Sequence, residues 1–153
     1  MFMGVPYSFR VKTGGEPRPS QNPLQAVLDV LPFPVFVKDE ENRFLLINRS
    51  MGEQFGIAPG PIPERVTWLE EGFPPELRRT LEDLNRDAIQ SGQFRELMDV
   101  EMPIHGELRR FHALRIPLRG PDGSVAGIVG LNIDITEWRK TEERALGASE
   151  EQE

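Results

Sequence analysis

The sequence predicts an α+β domain built on one antiparallel sheet of five strands, with helices on one face. Three observations lead there. Two short strand-like runs stand near the start and three longer ones near the end, with helical patterns between and after them. The stretch from Phe111 to Glu137 divides into two apolar runs around Gly120, Pro121, Asp122 and Gly123. Those residues turn a chain at little cost, because Pro121 presets φ and Asp122-Gly123 tolerates positive φ. The second of the two runs, Val125 to Ile135, is apolar at nearly every position and rich in Val and Ile, as a central strand covered on both faces would be. A sheet with all its helices on one side encloses a concave interior between the layers.

Taken in order, Met1 to Asn22 mixes aromatics with Lys12, Gly14, Gly15, Pro17 and Pro19, and residues 1–21 are expected to form a mobile arm. Asn22-Pro23 matches an N-cap and first helical residue, and Leu24, Val27, Leu28 and Leu31 follow at helical spacing. That apolar stripe has two uses, packing on its own domain or pairing with a second copy. Pro32 and Pro34 end the helix. Val35 to Asp39 and Phe44 to Ile47 form a strand pair around Glu40, Glu41 and Asn42. Asn48 then caps a short helix from Arg49 to Phe55, and Gly56 closes it. Five prolines between Ile57 and Pro75 forbid a long helix there, leaving a loop with one helical turn around Val66, Trp68 and Leu69. A longer helix runs from Glu76 to Ser91, with Leu77, Leu81, Leu84 and Ala88 on one face, Arg78, Arg79, Glu82, Arg86 and Asp87 on the other, and Gly92 as its stop.

Phe94 to Ile104 alternates, with Phe94, Met98, Val100, Met102 and Ile104 sharing a face. A turn at His105-Gly106-Glu107 leads to Leu108 to Leu118, where His112, Leu114, Ile116 and Leu118 share the apolar side. Paired strands show the core the same face, so this spacing sets His112 opposite Met98 or Val100 and points it inward. The last strand carries Gly127 and Gly130 and breaks at Asp134, Ile135, Thr136 and Glu137. Asp134 and Glu137 have capping-box spacing, and Thr136 is a competing N-cap. A charged helix from Glu137 to about Gly147 and an acidic tail complete the chain, giving a core domain of 22–136 and a terminal segment of 137–153.

A long final strand that breaks at Asp-Ile-Thr-Glu into a charged helix resembles the PAS family of sensory domains. The opening does too: strand, acidic turn, strand, Asn48, short helix, Gly56. The resemblance covers about Pro23 to Leu146 and implies the PAS fold, with strand order 2-1-5-4-3. It also implies a cytoplasmic signal-transduction module of bacterial type, whose last helix passes a change to an output domain such as a histidine kinase of a two-component system, or a cyclase. By the same resemblance, the cavity between sheet and long helix would be lined by Trp68, Leu81, Leu84, Met98, Val100, His112, Leu114, Ile128, Gly130 and Asn132. Asp134, Thr136 and Glu137 would relay the signal. The two terminal helices would pair in a homodimer.

Composition narrows the field. A net charge of -7, from 18 Lys and Arg against 25 acids, argues against nucleic acid as a partner. No segment approaches a membrane span or a secretory signal. With no cysteine, disulfides, thiolate metal sites and cysteinyl-flavin photochemistry are excluded. Haem in relatives is usually held by a histidine on the long helix, which here has none. Two histidines, His105 and His112, are too few for a zinc site of protein ligands alone. The cofactor therefore stays open, and the small molecule, if there is one, unnamed. Asn132 sits where flavin-binding relatives place a ring-bonding Gln; its alternative is a bond to neighbouring backbone. No nucleophile and base are paired by spacing, so the chain itself is not expected to be an enzyme. Two rivals remain: a ligand-free interaction module with a filled interior, and a small enzyme in which Glu96, His112 and Asn132 converge.

Overall fold

The structure, a computed structural model, describes residues 22–64, 66 and 72–152. Its elements are α1 (Pro23–Asp29), β1 (Val35–Asp39), β2 (Phe44–Ile47), α2 (Arg49–Phe55), β3 (Gly60–Pro61), α3 (Pro75–Ser91), β4 (Arg95–Ile104), β5 (Glu107–Arg119), β6 (Val125–Asp134) and α4 (Thr136–Gln152). They form one antiparallel sheet in the order β3-β2-β1-β6-β5-β4. The sheet has six strands where five were expected. The addition is the pair Gly60–Pro61, which lies against Leu46 and Ile47, with Ile62 N–H donating to Leu45 O. Proline is tolerated there because β3 is an edge with no further ladder to feed. Without β3 the order is the expected 2-1-5-4-3. Among the described residues no helix is long and apolar enough to cross a membrane. The expected arm, residues 1–21, lies outside the described residues.

Helix boundaries follow their capping chemistry. Asn22 accepts from the N–H groups of Leu24 and Gln25, and Asn48 from Met51, while Gly56 and Gly92 close α2 and α3 in the left-handed region. Asn48 does more than cap. Fully buried, it also accepts from Val35 N–H and donates through Nδ2 to Leu28 O and Phe33 O, so one amide ties α1, β1 and α2 together. The stripe expected to define α1 is not its buried face. Gln25 and Ala26 are buried instead, and Leu24 and Val27 stay 58% and 50% exposed. The last helix runs past Gly147 as far as Gln152.

Two local features invert the expected facing of β5. The β4–β5 connection is a two-residue turn, His105-Gly106, both at positive φ, and Ile104 pairs with Glu107. A three-residue turn would have matched even-numbered residues with even. Two residues match even with odd, so Val100 faces Phe111 and Met102 faces Arg109. In β6, Ala126 is an extra residue: Arg119 pairs with Val125, but Leu118 pairs with Gly127. That bulge sets Asn132 opposite Ala113 rather than His112. The helix-facing side of β5 is therefore Phe111, Ala113 and Arg115, and His112, Leu114, Ile116 and Leu118 lie on the outer face.

The core divides in two. One cluster joins α3 to β4 and β5 through Phe73, Leu81, Leu84, Val100, Met102, Phe111 and Ala113; the other gathers Phe36, Phe44, Ile47 and Met51 around β1, β2 and α2. Phe55 packs at the margin of both. What lies between them on the sheet is polar.

Candidate functional site

The seam between the two clusters is built on the middle strands. Phe36, Gly130 and Arg115 stand side by side across β1, β6 and β5, with Lys38 and Asn132 next in their own strands. Lys38 and Arg115 are each only 1% exposed. Arg115 Nε donates to Asn85 Oδ1 at 2.6 Å, and Nη1 donates to Asn132 Oδ1, Leu114 O and Leu131 O at 2.8–3.2 Å. Its guanidinium lies 4.8 Å from the centre of the Phe36 ring. The Lys38 ammonium lies 4.2 Å from the Phe44 ring centre and 5.9 Å from that of Phe36, and the two rings meet edge to face. Gly130 makes this possible. A Cβ there would sit 2.1 Å from Phe36 Cζ, so the missing side chain is the space the ring occupies.

The expected lining residues divide between the faces of the sheet. Leu81 and Leu84 on α3, Val100, Ile128, Gly130 and Asn132 are buried on the helix side. Met98, 45% exposed, and Leu114 are not: Leu114 is on the outer face, and Met98 falls at a bulge where Met98 and Asp99 together oppose His112. His112 was expected inward and is on the outer face for the same reasons of register. Its anticipated contact with Glu96 does exist, at 2.6 Å from Nε2 to Oε1, but across the outer surface and far from Asn132's side of the sheet. The three residues of the small-enzyme rival therefore do not converge. Trp68 lies outside the described residues. Missed altogether were Lys38, Asn85 and Arg115. Two of these had a signal: Asn85 interrupts the apolar stripe Leu81, Leu84, Ala88, and Lys38 shares the alternation of Phe36.

The second part of the site is the joint where β6 becomes α4. Asp134 Oδ1 accepts from Thr136 N–H at 2.9 Å, and Oδ2 takes the Arg109 guanidinium. Burial alone would raise the Asp134 carboxyl, but these bonds from Arg109 and Thr136 outweigh it and hold the group below its ordinary value. Thr136 Oγ1 accepts from Arg110 N–H at 2.8 Å, and Ile135 N–H donates to Arg110 O. Glu137 stays exposed, 3.8 Å from both Arg109 and Lys140. One turn further on, Arg139 reaches back in a two-pronged pair to Asp99, at 2.6 and 2.7 Å, and Arg110 meets Glu143 at 3.0 Å. Asp99 is at the β4 bulge with φ of 59°, which turns its side chain toward α4. The Arg139 guanidinium holds the Asp99 carboxyl below its usual range.

A family profile described as the PAS fold matches residues 28–140, and the chain belongs to the PAS family. Among known proteins it is similar to the virulence sensor protein BvgS of Bordetella pertussis, 27% identical over 115 residues, which is 74% of this chain and 9% of that protein. A methanogenesis regulatory histidine kinase, FilI of Methanothrix harundinacea, is 27% identical over 125 residues, covering 79% of this chain and 13% of the kinase. The chain thus spans about a tenth of the length of these relatives. The solved PAS domain of B. pertussis BvgS superposes with a TM-score of 0.52 at 23% identity, over 83% of this chain and 95% of that one. A phage VqmA–DPO complex does so with a TM-score of 0.65 at 23% identity, over 82% of this chain and 57% of that one.

Proposed function

We propose that this chain is the sensory module of a longer signalling protein: a change in its interior alters the packing of β6 and shifts α4. The observation that carries this is the continuity of one strand. Gly130 and Asn132 of β6 line the polar seam, and Asp134, two residues on, begins the joint to α4. A ligand that displaced Phe36 from Gly130 or took the Asn132 amide from Arg115 would act on that strand directly. The change would be a population shift between two settings of the helix. Relatives named as a virulence sensor and a regulatory histidine kinase, and a structural neighbour solved with DPO, support the reading. The output would lie in a domain following α4, and the chain itself would not be catalytic. The exposed Leu24 and Val27 of α1, with α4, would pair with a second copy. The acidic balance favours a protein output over direct contact with nucleic acid, and the setting proposed is cytoplasmic.

Native mass spectrometry of the chain purified from its own host, set beside its denatured mass, tests the reading. A bound small molecule lost on denaturation is the expected result. A second reading, an interaction module without ligand, is favoured by Phe36 filling the space above Gly130. An empty dimer whose α4 responds to no added compound would select it.

A further inference from the structure

The sheet is apolar on both faces, and α3 packs on one of them. On the other, Leu46, Val37, Val129 and Ile116 stand side by side across β2, β1, β6 and β5, and Leu131 and Leu114 form the next row. Ile116 is 41% exposed, and the other five are half-buried. An antiparallel sheet that keeps one face in water alternates apolar with polar residues, so an apolar face of this extent is one that something covers. The sequence holds a segment of matching form. From Met3 to Val11 every odd position is apolar (Met3, Val5, Tyr7, Phe9 and Val11), and the even ones are Gly4, Pro6, Ser8 and Arg10. That is the period of an extended chain showing one side to an apolar surface. Residues 12–21, which join this run to α1, reach about 35 Å at full extension, and β2 to β4 is about 20 Å across, so the run can lie over either row. Charge favours it over a second copy. The segment before α1 carries Arg10, Lys12 and Arg18 against Glu16, in a chain of net charge -7. Two acidic domains meeting face to face repel, whereas a basic segment is drawn to an acidic domain. We propose that residues 3–11 lie extended across the outer face of the sheet, with Met3, Val5, Tyr7, Phe9 and Val11 against it and Ser8 and Arg10 toward water. Docking and release of this segment act on β6 from the side opposite the seam, whether or not the interior takes a ligand.

The chain has no cysteine, so Ser8→Cys gives the full chain a single point for a nitroxide label. In nuclear magnetic resonance spectra of the isotope-labelled protein, the amides of Leu114, Ile116 and Leu131 should lose their signals and regain them when the nitroxide is reduced. The amides of Asp83 and Arg86 in α3, behind the sheet, should keep theirs. Adding Tyr7→Asp and Phe9→Asp to the labelled chain should restore the lost signals, since a charge at either position cannot stay against the apolar rows. Loss that persists in this variant would overturn the apolar contact, and no loss, or loss spread evenly over the sheet and α3, would overturn the docking itself. A mixture of isotope-labelled chain without nitroxide and nitroxide-bearing chain of natural isotope content tells neighbours apart. Unchanged signals in the mixture are expected. Loss there as large as within the labelled chain would overturn the intramolecular arrangement and give the face to a second copy.

Discussion

The two ends of the domain are fastened by opposite kinds of chemistry. At the N-terminal end, α1, β1 and α2 are knotted by Asn48, a neutral amide with no exposure that makes four hydrogen bonds to backbone. At the C-terminal end, α4 is held by Arg139–Asp99, Arg110–Glu143 and Arg109–Asp134, charged pairs whose side chains are partly open to water. The first arrangement has nothing to titrate or screen, and breaking it strands buried polar groups. The second gains little from each pair because water and salt compete. An end that must stay and an end that must move would be built in just these two ways.

The contrast can be broken or sharpened by experiment. Asn48→Ala should cost the most, about 3 kcal/mol, because it removes a cap and leaves several buried backbone groups without partners. Urea denaturation would read this as a lower midpoint at unchanged slope, and a loss below about 1 kcal/mol would deny the knot its role. Arg139→Ala should leave the urea midpoint of the fold nearly unchanged while the amides of α4 exchange faster and those of α2 do not. If α4 stayed as protected as before, the Asp99 contact would not be what holds it. Salt gives a weaker version: at ~1 M, where the Debye length is about 3 Å, α4 protection should fall and α2 protection should hold.

Acid is the mildest probe. Asp134 and Asp99 are both held below the ordinary 3.8. Groups so depressed contribute fully above that value, and the contribution fades as pH falls below it through the folded-state values. From pH 7 to about 5, α4 protection, corrected for intrinsic exchange, should therefore stay level, and below about 4 α4 should loosen before α2. Loosening already at pH 6 would mean that another group controls the joint.

How much of this could be read beforehand depended on whether a feature was local. Caps, stops and turns were legible because their chemistry is confined to a few residues: Asn22, Asn48, Gly56 and Gly92 all act as their positions suggest. The strand order followed from the family resemblance. The facing of β5 did not follow, because it depends on two single-residue matters, the length of the His105-Gly106 turn and the bulge at Ala126. Either one moves every side chain of a strand to the other side. The apolar alternation of Leu114, Ile116 and Leu118 was real, but it belongs to the outer surface, and the interior received Arg115. A buried arginine is illegible from the chain alone, since nothing local distinguishes it from a solvated one. Asn85, a polar residue in an otherwise apolar helical stripe, and Lys38, in phase with Phe36, were the hints that the interior held something polar.

The bulge at Asp99 has one more consequence. Among the described residues β4 is one edge of the sheet, opposite β3, and a regular strand there would offer its backbone to any other extended chain. Asp99 breaks that ladder with a positive φ and a charge, and Arg95, Glu96 and Glu101 put further charges along the same strand. The residue that anchors the last helix therefore also guards the domain against aggregating edge to edge.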